Sequence, residues 1–166
     1  MSNVLINRIG QGIDVHQLVA GSPLIIGGVY IPFPNGSKGH SDGDVLYHAI
    51  VDAILGALAL GDIGKHFPSD DERWKDAPSR KFLEHAKYLM QKKEYMAVNI
   101  DATVILQAPE LRSYISEMRK NVARFLSISI DAVSVKATTT DHLGFTGSGD
   151  GITAIAVALL TKKNGN

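Results

Sequence analysis

The stretch Ile155-Ala156-Val157-Ala158-Leu159-Leu160 near the C-terminus carries no polar side chain. A strand built from it is apolar on both faces, so it belongs in the middle of a sheet and needs a cover on each side. Helices of the same chain can supply one cover. Burial against other subunits is the simplest source of the second.

The rest of the chain supplies the helices and the remaining strands. Val4–Val15 mixes β-branched residues with glycines and reads as a first strand. Leu24–Ile26 and Val29–Ile31 flank Gly27-Gly28, a pair suited to the positive φ angles of a hairpin turn. Pro32–His40 reads as a loop. Over Asp42–Leu60 the residues Val45, Leu46, Ala49, Ile50, Ala53, Ile54, Ala57 and Leu58 recur at the three-and-four spacing of one buried helix face. Carboxylates open that helix and Gly61 follows it. Further helices are expected over about 79–92 and 110–126, and strands over 98–106, 133–138 and 152–160. The expectation is an α/β (α+β) sandwich, one mixed sheet with helices layered on one face, forming a single domain over residues 1–166.

Charge and composition exclude several classes. Seventeen basic residues balance seventeen acidic ones, so there is no basic surplus for coating nucleic acid or an anionic membrane. The most apolar runs, Ala53–Leu60 and Ala154–Leu160, fall short of the ~18 residues a membrane span needs, and no targeting segment is visible, so the cytoplasm is the expected location. The chain contains no cysteine. Thiolate-bound zinc, iron–sulfur clusters and a cysteine nucleophile are thereby excluded, and a transition metal would need His nitrogens and carboxylate oxygens.

Such a set is present. In Asp14-Val15-His16 a strand directs residues 14 and 16 to one face and turns Val15 inward. His48, beside the apolar stripe of the long helix, adds a third ligand and leaves a fourth position open. Asp44 and Asp52 stand four residues either side of it, where either carboxylate is expected to orient the imidazole from its distal nitrogen. In His40-Ser41-Asp42-Gly43-Asp44, Ser41 or Asp42 can cap the helix, and His40 beside free backbone NH groups suits an anion. Asp62, between Gly61 and Gly64, can accept from a substrate hydroxyl. Thr138-Thr139-Thr140-Asp141 and the glycine-spaced run after Leu143 supply hydroxyl and NH donors for phosphate oxygens, with a carboxylate for a hard cation.

Taken in order, R-I-G-x-G-x-D-V-H from Arg8, I-I-G-G-V-x-I-P, H-S-D-G-D-V-x-x-H-A, A-L-G-D-I-G-x-x-F-P, Q-A-P and V-K-A-T-T-T-x-x-L-G-F-T-G resemble the 2-C-methyl-D-erythritol 2,4-cyclodiphosphate synthase family of non-mevalonate isoprenoid biosynthesis. The likeness runs from Arg8 to Lys162. It implies a homotrimer with active sites between subunits, which closes a cytidine-diphosphate-linked methylerythritol phosphate on itself and expels CMP. It also implies that Asp14, His16 and His48 hold Zn²⁺, with Asp141 reaching a second cation, Mg²⁺ or Mn²⁺. His40 and Thr139 would steady the transferring phosphoryl group. Asp62, Ile63, Gly64, Phe67, Pro68, Ser69, Asp70 and Asp71 would hold the methylerythritol part, and Asp14, Val15, His16, His40 and Ser41 would also contact the substrate. Leu106, Gln107, Ala108, Pro109, Glu110, Leu111 and Arg112 would hold cytosine, Thr138, Thr139, Thr140 and Asp141 would embrace the diphosphate, and Phe145 and Ser148 complete the substrate-binding set.

The chain departs from the family at several of these places. Asp141 and Asp150 stand where many relatives carry Glu, Ile13 replaces a common aromatic residue, and Ser148 occupies the place of a common arginine. That arginine lines the trimer's central cavity, so the departure implies weak or absent binding of isoprenoid diphosphates there. Two rival functions use the same ligands: a zinc phosphoesterase in which water attacks, and a non-catalytic metal- or nucleotide-binding trimer.

Overall fold

The computed structural model describes residues 6–39, 41–68, 70–75 and 77–162. Its first strand, β1, is Asn7–Ala20; Val4 and Leu5, placed in that strand by their sequence, lie outside the described residues. The strand continues past Val15 because its pairing with the last strand, β7 (Gly151–Lys162), runs on to Gln17↔Gly151. Leu18–Ala20 then pair with a short edge strand, β4 (Asn35–Ser37), inside the stretch expected to be a loop. Asn-Gly-Ser has poor strand propensity, so only the tertiary pairing reveals it. Between them β2 (Leu24–Ile26) and β3 (Val29–Ile31) form the expected hairpin, with Gly27 and Gly28 at φ 59° and 69°.

The long helix, α1, is Val45–Ala57, shorter than its apolar pattern. Asp44 caps it through an oxygen accepting from Tyr47 N, and Ala59, at φ 55°, stops it. A four-residue turn, α2 (Ile63–His66), precedes α3 (Arg80–Lys92). Strand β5 is Tyr95–Ile105; helix α4 is Ile115–Leu126, starting later than expected because the segment around Pro109 runs through bends and a turn first. Strand β6 is Val133–Thr138, as expected, and a short turn, α5 (Gly144–Gly147), leads into β7.

The main sheet has the order β4-β1-β7-β5-β6, with β5 and β6 parallel and the other pairs antiparallel. It is therefore mixed, with the helices packed on one face. On that face β7 contributes Ile152, Ala154, Ala156, Ala158 and Leu160, all buried. Small residues there let α1 come into backbone contact with β1. A Cβ placed on Gly10 would lie 1.9 Å from Ala53 O, and one on Gly12 would lie 2.0 Å from Ala49 O. No side chain fits between strand and helix at those two positions.

The opposite face is open in the single chain and mixes apolar side chains with polar ones such as Gln11 and the Asp101–Lys136 pair. Ile9, Ile13 and Val15 are 72%, 54% and 49% exposed, and Met96, Val98 and Val157 join them. Val15, expected to turn inward, instead belongs to this open face. The strand's alternation gives the helix-covered face to Asp14 and His16.

Candidate metal centre and the pockets around it

The glycine contacts set the geometry of the site. Gly10, Gly12, Asp14 and His16 follow one another on the helix-facing side of β1. His48 precedes Ala49, whose carbonyl touches Gly12. Close packing at Gly12 thus brings an α1 side chain directly over the next two strand positions. Asp14 Oδ2 lies 2.9 Å from His16 Nε2 and 3.0 Å from His48 Nδ1, and the two ring nitrogens are 3.1 Å apart. These three ligand atoms form the one group of at least three convergent His, Asp or Glu ligands among the described residues.

The hydrogen bonds on the far side of each ring determine what the near side offers. His16 Nδ1 is 3.0 Å from the carbonyl oxygen of Lys38. A carbonyl only accepts, so Nδ1 carries hydrogen and Nε2 presents a lone pair. His48 Nε2 is 2.8 Å from Ser79 Oγ and 3.2 Å from Ser41 Oγ. A carboxylate oxygen and lone-pair nitrogens crowded to about 3 Å need a cation between them. The donor set, oxygen plus two nitrogens with an open side, fits a divalent metal ion.

In the metal-free protein a proton fills part of that need. Burial works against a charged His16 ring, yet the adjoining Asp14 carboxylate outweighs it and raises the His16 pKa above its usual value. Burial likewise opposes ionised Asp14, but hydrogen bonds and charge from His16 and His48 hold its carboxyl well below the ordinary range.

The two carboxylates expected to orient His48 have other partners. Asp44 is fully buried and accepts from Gly27 N at 2.9 Å, Gly28 N at 2.7 Å and Tyr47 N at 3.1 Å, tying the β2–β3 turn to the start of α1. Burial pushes its pKa up to about 6 in spite of these donors. Asp52 accepts from Ile63 N at 2.6 Å and anchors the turn after the helix. Helical spacing placed both residues on the side of His48, but backbone donors nearby claimed them. Ser79 at the start of α3 is the partner that sequence spacing could not reveal, since it lies far along the chain.

A pocket of about 250 Å³ opens beside the triad, lined by His16, Ser41, His48, Ile63, Gly64, Phe67, Trp74 and Phe82. Of the residues expected on this side, Asp62 caps α2 by accepting from Lys65 N at 2.9 Å. Pro68 and Asp70 are exposed, while Asp71 accepts from Arg73. His40 and Ser69 lie outside the described residues. Ser41 also accepts from Gly43 N, and the capping expected of Ser41 or Asp42 falls to Asp44 instead.

A second pocket, about 330 Å³, joins Leu106, Gln107, Pro109, Glu110, Leu111, Arg112, Ala137, Thr138 and Thr139. The Ala108–Pro109 peptide bond within it is cis. Next to it Thr139 Oγ1 donates to Asp141 Oδ1 at 3.3 Å in an exposed loop, while Thr140 Oγ1 donates to Leu143 O at 2.6 Å and so has a structural bond of its own. Phe145 is exposed, and Ser148 donates to Asp150 Oδ2 at 2.5 Å. Asp141 stands apart from the triad within the chain.

Both pockets open at one end of the sheet. Val15 pairs with Thr153, Thr153 with Ile105, and Ile105 with Thr138, so these residues form one row. The row crosses three strand spacings, about 14 Å, between the metal triad's strand and the strand that ends at the second pocket. One chain therefore carries two separate pockets at that end.

The profile of the YgbB family matches residues 7–161. The chain is 57% identical over 155 residues to 2-C-methyl-D-erythritol 2,4-cyclodiphosphate synthase of Methylobacillus flagellatus, covering 93% of this chain and 97% of that one. It is 58% identical to the enzyme of the same name from Geobacillus kaustophilus, with 93% and 98% covered. Among solved structures, IspF of Plasmodium falciparum in complex with CDP superposes with a TM-score of 0.84 at 39% identity, covering 95% of this chain and 97% of that one. No helix among the described residues is long and apolar enough to cross a membrane. The matched span, the mixed sheet and the Asp14–His16–His48 cluster agree, and the chain belongs to the YgbB family, as an enzyme of the 2-C-methyl-D-erythritol 2,4-cyclodiphosphate synthase kind.

Proposed function

We propose that the protein acts on 4-diphosphocytidyl-2-C-methyl-D-erythritol 2-phosphate at a site built from the triad of one subunit and the Leu106–Arg112 and Thr138–Asp141 half-site of its neighbour. An oxygen of the 2-phosphate attacks the β-phosphorus, the bond from β-phosphorus to the bridging oxygen breaks, and CMP leaves with that oxygen. The product is 2-C-methyl-D-erythritol 2,4-cyclodiphosphate. The observation that carries this reading is the convergence of Asp14 Oδ2, His16 Nε2 and His48 Nδ1 to within about 3 Å beside an open pocket.

The attacking phosphate is already ionised at neutral pH, so no side chain needs to remove a proton from it. The chain's task is to hold anions together and meet charge on the phosphoryl oxygens. Asp14, His16 and His48 hold the ion, proposed as Zn²⁺, with Asp141 toward a second, Mg²⁺ or Mn²⁺. When bound, such ions supply Lewis-acid charge and a template for phosphate oxygens. Thr139 and His40 donate toward the transferring group. Ile63, Gly64 and Phe67 exclude water around the methylerythritol part, and the pocket around Pro109 receives cytosine.

The exposed Ile9, Ile13, Val15, Met96, Val98 and Val157 on the open face of β1, β5 and β7 support a homotrimer, since apolar side chains gathered in this way are normally covered. Trimerisation would also bring each triad next to another chain's nucleotide half-site. ³¹P NMR of the protein with this substrate, Zn²⁺ and Mg²⁺ tests the reading. A cyclic diphosphate with stoichiometric CMP is expected; a linear phosphate product overturns it in favour of hydrolysis, and an unchanged spectrum from metal-loaded trimer leaves only binding.

A further inference from the structure

Ser79 stands at the N-cap position of α3, yet its side chain makes no capping hydrogen bond. It is fully buried and its hydroxyl is committed elsewhere. Asp42 grips it twice: Asp42 Oδ2 accepts from Ser79 N at 3.1 Å, and Asp42 Oδ1 accepts from Ser79 Oγ in a short bond. On its other side Ser79 Oγ meets His48 Nε2 at 2.8 Å. Asp42 itself is fastened by its backbone NH to Ala77 O at 3.2 Å, so the pair joins the segment before α1 to the segment before α3.

A serine hydroxyl has one proton. An ionised carboxylate offers no proton in return, so the Ser79 proton goes to Asp42 and Ser79 Oγ is left to accept. His48 Nε2 must then be the N–H donor, so in the neutral ring Nδ1 is bare; the hydrogen bond from Nδ1 to Asp14 Oδ2, 3.0 Å away, forms only when the ring carries a second proton. Ser41 Oγ, accepting from Gly43 N at 3.3 Å, adds a second hydroxyl oxygen 3.2 Å from the same Nε2. We propose that Asp42 and Ser79 are positioning residues that hold His48 in its Nε2–H tautomer, with the Nδ1 lone pair already directed at the metal position before any ion arrives. The arrangement does by a serine relay what a direct carboxylate–histidine contact does at other metal sites. It rests on reading the triad as a metal site.

The reversal is informative. In Asp42→Asn the amide can donate to Ser79 Oγ, freeing the Ser79 proton to point at His48 Nε2 and moving the ring hydrogen to Nδ1, where it blocks the ligand lone pair. Ser79→Ala removes the relay without imposing the wrong tautomer, and Ser79→Thr preserves the hydroxyl. The measurements are the Zn²⁺ dissociation constant by chelator competition without substrate, and ¹⁵N shifts of the labelled histidine rings in the metal-free protein. Expected are an Nε2–H tautomer for His48 in the wild type, roughly 10–100-fold weaker Zn²⁺ binding in Asp42→Asn, a smaller loss in Ser79→Ala, and near wild-type binding in Ser79→Thr. Circular dichroism and the thermal midpoint of each metal-free variant separate these losses from misfolding. An Nδ1–H tautomer in the wild type overturns the inference, as does unchanged Zn²⁺ affinity in both Asp42→Asn and Ser79→Ala. A wild type that binds no divalent ion overturns the metal reading itself, whereas wild-type binding with unaffected variants overturns only the role of Asp42 and Ser79.

Discussion

The two ends of the Val15–Thr138 row are built on opposite plans. At β1 both ligand rings are held from behind: Lys38 O behind His16, and Ser79 and Ser41 behind His48. Close packing of α1 on Gly10 and Gly12 leaves that assembly little room to shift. At the end of β6 the hydroxyls and carboxylates of Thr138–Asp141 are exposed or half-buried, with Thr139 and Asp141 bonded chiefly to each other. The difference teaches that binding a bare cation demands preorganised lone pairs inside one chain. The exposed hydroxyls at the end of β6 have no such support and are free to reorient toward a ligand.

That contrast can be broken most directly at His48. His48→Ala should remove the third ligand, costing more than the roughly 10–100-fold in metal affinity typical of changes behind a ligand, and abolish CMP release. Retained stoichiometric metal by elemental analysis would show that the β1 half-site is not the metal centre. Thr139→Ala probes the other half. Turnover should fall by roughly a hundredfold if Thr139 meets charge on the transferring group, while Zn²⁺ affinity stays unchanged; loss of affinity instead would show that the halves are not independent.

A smaller effect comes from the packing itself. Gly12→Ala puts a methyl group against Ala49 O, which should cost about 1–3 kcal/mol in urea unfolding and weaken metal binding by spreading Asp14 and His48 apart. A variant as stable as wild type would refute the backbone-contact explanation of the site. The most graded effect is pH dependence. A proton on His16 competes with the metal, so affinity should fall about tenfold for each pH unit below the raised His16 pKa. In the metal-free protein the His16 contribution to stability is fully present below the ordinary 6.5 and is lost as pH rises through the raised value. The contribution of Asp14 is present above its ordinary 3.8 and lost as pH falls through its lowered one. A metal affinity flat between pH 8 and 5, measured by chelator competition, would remove the proton from the competition.

The periodicity of α1, the Gly27-Gly28 turn, the mixed sheet and the residues of the triad were all legible in the linear chain, because they follow from local spacing or residue chemistry. The family resemblance, not local spacing, pairs Leu106–Arg112 with Thr138–Asp141; Leu106, Gln107, Pro109, Thr138 and Thr139 line one pocket. The strand Asn35–Ser37 was not legible, since its residues have no preference for strand and acquire it only beside Leu18–Ala20. Nor was the direction of Val15 anticipated.

The largest revision concerns His48. Spacing along a helix suggested Asp44 and Asp52 as its supports, but backbone NH groups of Gly27, Gly28, Tyr47 and Ile63 took those carboxylates. Buried donors must be paired, and the nearest carboxylate in space satisfies them whatever its spacing implies. By itself, then, the sequence determined which side chains can hold a metal and which elements carry them. Only the tertiary structure decided how the ligands are oriented: that depends on which hydroxyls and carbonyls from distant segments lie behind each ring, and on two glycines that let helix and strand meet.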